Sequence, residues 1–241
     1  MKKEIEIKIG DYSINLITNG AENYDNIVLC FHGFNGDKWG DAYSGLKKRL
    51  NNSLVASFNS CGHGDSVISA EDMNLTIILK EIDAVVKFFE QVEPNKPLIF
   101  VAMSYGAYRV MQYLIKYRPN IKKIIYVNPA FRMLELLERL KDFKYLELKE
   151  NDTVAMKRSL NKFMSKTFLD DLFNNDLYKN VYDLNYDTQI VVGKSDSLIP
   201  FEDTSEIAKN YNYNITYVDD EHYFENKENW NVVTDMIEEQ R

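Results

Sequence analysis

Ser104 is the residue whose surroundings most clearly predict covalent chemistry. It lies in the run FVAMSYG at 100–106, between an apolar stretch at 97–102 and a stretch of helical pattern at 105–117. Ala102 and Gly106 place small side chains two positions before and after the serine. This spacing is typical of a tight strand-to-helix turn that lifts one hydroxyl above a sheet edge. We therefore predict that Ser104 is a nucleophile.

A serine nucleophile needs a base within hydrogen-bond reach, and imidazole titrates in the right range. The chain has three histidines, His32, His63 and His222. His222 lies in the loop DDEHYF at 219–224, after an apolar run at 214–218. A loop that follows the last strand would bring this side chain over the serine, so we predict that His222 is the base.

The base in turn needs a carboxylate that orients it. Asp196 lies in GKSDSLIP, just past the strand-like run at 189–192. The chain order Ser104, Asp196, His222 is then nucleophile, acid, base, which is one of the known orders of such a triad. Asp219 and Asp220 are competing acids, but their adjacency to His222 in the sequence makes good geometry at a ring nitrogen harder to reach.

Acyl transfer also needs donors for the developing oxyanion. The loop FHGFNG directly follows an apolar run at 26–31, and flexing at Gly33 would direct the Phe34 backbone amide into the site. The Tyr105 amide, at the head of the helix, is the predicted second donor. We expect His32 to shape the loop by bonding backbone groups with its ring.

A second glycine-rich loop, NSCGHGDS at 59–66, follows the apolar run at 53–58. Gly62, His63 and Gly64 are predicted to shape this loop. It lacks the spacing and the following lysine of a phosphate-binding loop, which argues against a nucleotide site. Three scattered histidines and two separated cysteines form no metal-binding pattern, so we expect neither metal nor cofactor.

Strand-like and helix-like runs alternate through most of the chain. The segments 3–9 and 13–18 alternate with a period of two and are split by Gly10 and Asp11, which predicts an antiparallel hairpin. Further strands are expected at 26–31, 53–58, 97–102, 123–127, 189–192 and 214–218, and helices at 41–50, 75–92, 105–117, 201–210 and 230–239. This order predicts an α/β fold with a mostly parallel central sheet covered by helices on both faces.

The segment 131–183 interrupts the alternation. It shows amphipathic helical stretches and no strand pattern, for example at Leu136 and Leu140, around Leu160, and around Phe168. We predict a helical lid inserted into a core formed by 1–130 and 184–241, because active sites of open α/β sheets lie at the carboxyl ends of the strands. The alternative is an ordinary helical layer of the same domain.

The amino-acid composition argues against some classes of binding partner. The 241 residues carry a net charge of -8, which opposes binding to nucleic acid or to an anionic membrane surface. No apolar run approaches the ~20 residues that span a bilayer, so stable membrane insertion is not expected. The first residues alternate in polarity, unlike a signal peptide, and Cys30 and Cys61 are not expected to pair, which favours a cytoplasmic location. The many Lys, Asn and Ile residues suggest an AT-rich bacterial genome.

The motifs as a set resemble the α/β-hydrolase superfamily over nearly the whole chain. They are His-Gly-Phe at 32–34, Gly-His-Gly-x-Ser at 62–66, Ala-x-Ser-x-Gly at 102–106, Gly-x-x-Asp at 193–196 and the late His222. Within it the chain resembles the branch of monoacylglycerol lipases, feruloyl esterases and serine aminopeptidases. Two departures stand out: Ala102 replaces a commoner glycine, and Asn59 and Cys61 stand where many relatives have Asp and Arg.

The resemblance and the residues together predict a serine hydrolase that acts on small carboxylic esters, with short-to-medium acyl or aryl groups. Aminopeptidase-like or thioesterase activity of the same residues remains an alternative, and Glu135 or Glu138 could then hold a substrate amine. A binding protein without catalysis is a third possibility, because a fold does not determine function. The sequence leaves the oligomeric state open.

Overall fold

Strands and helices alternate in the computed structural model, which describes residues 2–139, 153–156, 162–179 and 181–239. The strands of these residues are β1 (Lys2–Ile9), β2 (Tyr12–Asn19), β3 (Asn26–Phe31), β4 (Ser53–Phe58), β5 (Leu98–Met103), β6 (Lys123–Val127), β7 (Thr153–Met156), β8 (Lys162–Ser165), β9 (Thr188–Gly193) and β10 (Asn214–Val218). Their helices are α1 (Asp41–Leu46), α2 (Leu75–Val92), α3 (Tyr105–Tyr117), α4 (Met133–Arg139), α5 (Lys166–Asn174), α6 (Phe201–Tyr211) and α7 (Trp230–Glu238).

Eight of the strands form one sheet in the order β1-β2-β4-β3-β5-β6-β9-β10. β2 pairs antiparallel with β1 and β4, and the other neighbours are parallel. This confirms the predicted α/β fold with its antiparallel start. β5 lies inside the sheet and all six of its residues are buried, which explains the continuous apolar run LIFVAM.

Two apolar layers cover the sheet, one on each face. Alternation along β3 sends Ile27, Leu29 and Phe31 to the face covered by α2 and α3, and Val28 and Cys30 to the face covered by α1 and α7. Because β3 to β6, β9 and β10 pair in parallel, their carboxyl ends share one edge of the sheet, and the loops that follow β3, β5, β9 and β10 meet there. These loops carry the predicted chemistry.

The two cysteines lie on opposite faces of the sheet. Cys30 packs in the layer under α1 and α7, whereas Cys61 packs in the layer under α2 and α3. Both thiols are free and buried, and burial raises the pKa of each thiol. A disulfide between them would have to cross the sheet.

Two expectations about elements were wrong. Helix α1 ends at Leu46, four residues before the predicted end, and the chain continues as a turn in which the Leu46 carbonyl accepts from both the Arg49 amide (2.9 Å) and the Leu50 amide (3.0 Å). In the segment 131–183 we expected helices alone, but β7 and β8 pair antiparallel from Thr153↔Ser165 to Met156↔Lys162. Such short apolar runs fit a strand as well as a helix, so their periodicity could not decide.

The other described parts of this segment are helical. α4 and α5 correspond to two of the predicted amphipathic stretches, and Leu140 and Leu160, which we assigned to helices, lie outside the described residues. α5 buries Phe168, Leu169 and Leu172 in the same apolar layer as α2 and α3. No helix among the described residues has the length and apolar character needed to cross a membrane.

Candidate active site

Ser104 occupies a sharp turn between β5 and α3. Its φ of 52° and ψ of -122° are an uncommon backbone conformation for a residue with a side chain, which costs roughly 1–3 kcal/mol. Backbone hydrogen bonds hold this turn: the Ser104 amide donates to Val127 O (3.0 Å), and Ser104 O accepts from the amides of Ala107 (2.9 Å) and Ala130 (3.1 Å). The strain therefore serves to present the serine hydroxyl at the sheet edge.

The small flanking residues let α3 begin directly against β3. A Cβ at Gly106 would lie 2.6 Å from Phe31 O and 3.0 Å from His32 O, distances that a side chain does not tolerate. Ala102 is fully buried within β5. Any larger residue at Gly106 would push the helix, and with it Ser104, away from the loop that follows β3.

Ser104, His222 and Asp196 lie within hydrogen-bond distance in series. Ser104 Oγ is 3.0 Å from His222 Nε2, and His222 Nδ1 is 2.8 Å from Asp196 Oδ2. An ionised carboxylate only accepts, so the Nδ1 proton points at Asp196 and Nε2 is left to accept from the serine hydroxyl. The His222 and Asp196 side chains are 6% and 2% exposed, which limits competition from water.

The Asp196 carboxylate is itself oriented by the backbone. Its Oδ1 accepts from the amides of Leu198 (2.9 Å) and Ile199 (3.0 Å), which leaves Oδ2 for the imidazole. The two competing acids, Asp219 and Asp220, bond other groups. Asp219 pairs with Lys194 at the surface (2.7 Å), and Asp220 Oδ1 accepts from the Glu221 amide (2.9 Å) within the loop of His222.

Asn128, the residue directly after β6, holds the loop of His222 and was not predicted from the sequence. Its Nδ2 donates to His222 O (2.9 Å) and Glu221 O (3.1 Å), while its Oδ1 accepts from the Gly193 amide (2.7 Å). The residue is buried and has a φ of 43°, a conformation in which Asn is enriched. Its place directly after a predicted parallel strand was the available sequence signal.

Phe34, whose amide is one predicted oxyanion donor, lines the same cleft as Ser104, and Tyr105, which carries the other, directly follows the serine. The Gly33 backbone packs against it, since a Cβ at Gly33 would lie 3.3 Å from Ser104 Cβ and 3.7 Å from Ser104 Oγ. Phe34 follows, and its ring contacts the rings of His63 and Tyr105 edge-on. The Tyr105 amide is the first in α3, so the helix contains no carbonyl for it to bond and the helix dipole is positive there.

His32 joins the two glycine-rich loops. Its Nε2 accepts from the Ser60 amide (3.2 Å), so the ring proton is on Nδ1, which lies 2.8 Å from Gly33 O. His63 Nδ1 lies 2.9 Å from Cys61 O, and the His63 ring stacks on Tyr105. Both histidines thus contact backbone groups of the loops that surround the serine.

Asn59 anchors the second loop in place of the charge pair that the resemblance suggested. Its Oδ1 accepts from the Lys38 amide and its Nδ2 donates to Asp65 Oδ1, both at 2.6 Å. Asp65 Oδ2 also accepts from Lys38 Nζ at 2.6 Å. Gly62 and Gly64 have positive φ values of 76° and 53°, and a Cβ at Gly64 would overlap the Asn59 amide.

Two cavities are lined by residues that the sequence analysis singled out. A cleft of about 180 Å³ contains Ser104 and His222 and is also lined by Phe34, Met103 and Tyr223. A larger cavity of about 340 Å³ lies between α3, α4 and α5, where Glu135, Glu138 and Asp176 are among its lining residues. In the described part of the chain, no group of three or more His, Cys, Asp or Glu side chains is arranged to hold a metal ion.

Solved structures of other proteins share this fold. Est1E from Butyrivibrio proteoclasticus, solved with ferulic acid bound, is 19% identical, with 97% of each chain covered and a TM-score of 0.83. A putative hydrolase from Agrobacterium vitis S4 is 18% identical, with 99% of each chain covered and a TM-score of 0.78. The esterase EaEST from Exiguobacterium antarcticum is 16% identical, with 98% of each chain covered and a TM-score of 0.69.

No curated protein matches the sequence significantly. A family model, however, does match it. The sequence model of the family described as "Serine aminopeptidase, S33" matches residues 22–171, which is more than half of the chain. The matched range includes the loops around His32 and His63 as well as the turn of Ser104. The chain therefore belongs to the serine aminopeptidase, S33 family of α/β hydrolases.

Proposed function

We propose that this hydrolase cleaves carboxylic esters through an acyl-enzyme formed on Ser104. The observation that carries the proposal is the pair of hydrogen bonds, 3.0 Å and 2.8 Å long, that connects Ser104 Oγ through His222 to Asp196. A buried serine in a strained turn with an oriented base is the arrangement that nucleophilic catalysis needs.

In the first half of the reaction, Ser104 Oγ attacks the ester carbonyl carbon and its proton passes to His222 Nε2. The carbonyl oxygen becomes an oxyanion, which the amides of Phe34 and Tyr105 stabilise. The carbonyl then re-forms, the alkoxide leaves, and His222 returns the proton to it. Water attacks the acyl-serine in the same way and releases the acid, while Asp196 keeps the imidazole in the required tautomer.

We propose short-to-medium acyl or aryl esters as substrates. The cleft at Ser104 is only about 180 Å³, and the aromatic rings of Phe34 and Tyr223 line it, so small apolar or aromatic groups fit best. The ferulic acid bound to the structurally similar Est1E supports an aryl acid. We further propose that the segment 131–183 covers this edge of the sheet as a lid that selects the acyl group.

A panel of p-nitrophenyl esters of increasing acyl length, run beside a fluorophosphonate probe, tests the proposal. We expect the probe to label Ser104 and Ser104→Ala to lower kcat by at least about 10³-fold, because the nucleophile is removed. We expect Ser104→Ala to keep the fold, since it removes one hydroxyl whose hydrogen-bond partner is His222. Wild-type turnover in that variant would refute the mechanism.

Aminopeptidase-like activity is the second candidate, and one observation favours it. The cavity of about 340 Å³ is lined by three carboxylates, Glu135, Glu138 and Asp176, and by Phe131, which lies two residues before the start of α4. Carboxylates that line a cavity could hold a substrate amine there. Aminoacyl p-nitroanilides discriminate between the two: cleavage faster than that of the esters, and lost in Glu135→Gln with Glu138→Gln, would favour the peptidase.

A further inference from the structure

Two buried ionisable side chains that take no part in the proposed reaction lie beneath the loops of the active site. Arg109, on α3, and Glu81, on α2, are both completely inaccessible to solvent. Burying an ionisable group costs free energy of folding unless hydrogen bonds or ion pairs compensate. The partners of these two side chains therefore indicate their role. Their partners are the two glycine-rich loops.

Arg109 holds the first loop. Its Nη2 donates to His32 O at 2.6 Å, and the guanidinium lies 4.9 Å from the centre of the Tyr105 ring. His32 O belongs to the peptide that precedes Gly33, and the next amide along the chain is that of Phe34. One side chain therefore bonds the loop that carries one proposed oxyanion donor and stacks on the residue that supplies the other.

Glu81 holds the second loop. Its Oε2 accepts from the Cys61 amide (2.8 Å) and from the Ser60 hydroxyl (3.4 Å). The Ser60 amide in turn donates to His32 Nε2 at 3.2 Å, which joins the second loop to the first. A continuous chain of contacts thus runs from α3 through Arg109, His32 and Ser60 to Glu81 on α2.

We propose that Arg109 is a positioning residue that, with Glu81 behind it, sets the distance between the Phe34 amide and the reacting carbonyl oxygen. This role rests on the proposed serine mechanism. A bond to a backbone carbonyl fixes the orientation of its peptide, and an oxyanion donor acts only within about 0.5 Å of its correct place. Arg109 acts through the loop and does not touch the substrate.

The test compares two substitutions of buried cations. Arg109→Met removes the bond to His32 O. The matched control is Lys123→Met: Lys123 is also buried, and its Nζ donates to Met236 O at 2.6 Å. Lys123 begins β6, whereas Ser104 bonds Val127 at the other end of that strand, so the control lies away from the site.

Both variants are assayed with p-nitrophenyl butyrate and with an octyl trifluoromethyl ketone. The ketone probes the oxyanion site directly: Ser104 Oγ bonds its carbonyl carbon, the Oγ proton moves to His222, and the carbonyl electrons become the oxyanion. We expect Arg109→Met to lower kcat and ketone affinity together by about 10²-fold with KM nearly unchanged. Lys123→Met should lower the melting temperature and leave kcat and ketone affinity within about twofold.

Folded Arg109→Met with wild-type kcat would overturn the proposal, as would an equal loss of kcat in Lys123→Met. If Arg109→Met does not fold, Arg109→Lys decides, because lysine keeps the charge but not the planar group over Tyr105. We expect kcat to fall about tenfold in that variant, with ketone affinity falling in parallel, and wild-type values would overturn the role. Ser104→Ala, measured beside them, tests the serine mechanism separately.

Discussion

Replacing Asn128 by glycine should loosen the loop that carries His222. The side chain makes three hydrogen bonds, to His222 O, Glu221 O and the Gly193 amide, and glycine makes none of them. Glycine adopts the φ of 43° without strain, so the substitution removes the amide without adding backbone strain to the folded state, and the control below carries the same change in chain entropy.

The expected loss of stability can be worked out from these three hydrogen bonds. At about 1 kcal/mol for each net hydrogen bond, the free energy of unfolding should fall by about 3 kcal/mol. For a chain of this size, 1 kcal/mol shifts the melting temperature by roughly 2–4 °C, so we expect a fall of about 6–12 °C. A slightly displaced imidazole should lower kcat by about 10- to 100-fold, because proton transfer depends steeply on geometry.

Circular dichroism melting and p-nitrophenyl butyrate hydrolysis measure the two effects. Asn212→Gly is the matched control: Asn212 directly follows α6 and also has a positive φ, 56°, but it is exposed. Glycine is favoured at such a helix end, so this variant should melt within about 2 °C of the wild type. If Asn128→Gly behaved like this control in both assays, the three bonds would not hold His222 and the reasoning would be refuted.

Two further predictions concern the carboxylates. Asp196→Asn should lower kcat about 10³- to 10⁴-fold with the fold intact, because the neutral amide no longer enforces the imidazole tautomer. Burial raises the pKa of Glu81 from 4.5 to about 7, so between these values the folded protein holds a proton that the unfolded chain has released. The free energy of unfolding should therefore fall as pH rises through this window, by about 3 kcal/mol in total, and Glu81→Gln should remove that fall.

A specific result would refute each of these two predictions. An Asp196→Asn variant with more than a tenth of wild-type kcat would show that Asp219 or Asp220 orients His222 instead. For Glu81, urea unfolding at several pH values provides the measurement. The same slope of stability against pH in Glu81→Gln as in the wild type would show that another buried group carries the proton.

Much of the fold could be predicted from local patterns. Helices α2 and α3 and strands β6 and β10 have the predicted ends, because each is an apolar run or stripe closed by polar or turn residues. The short β7 and β8 could not be predicted, since four residues are too few to show a period. The lid remains a prediction, although α5 within it shares the apolar layer of α2 and α3.

The candidate residues Ser104, Asp196 and His222 follow from the sequence, because each lies where a parallel strand ends and such ends share one edge. Only the tertiary structure decides their distances, and only it shows which groups Asn128, Arg109 and Glu81 bond. These three act through contacts with backbone carbonyls and amides of loops that are distant in the chain. Such contacts leave no periodic pattern or motif, since their geometry exists only once the sheet has brought the loops together.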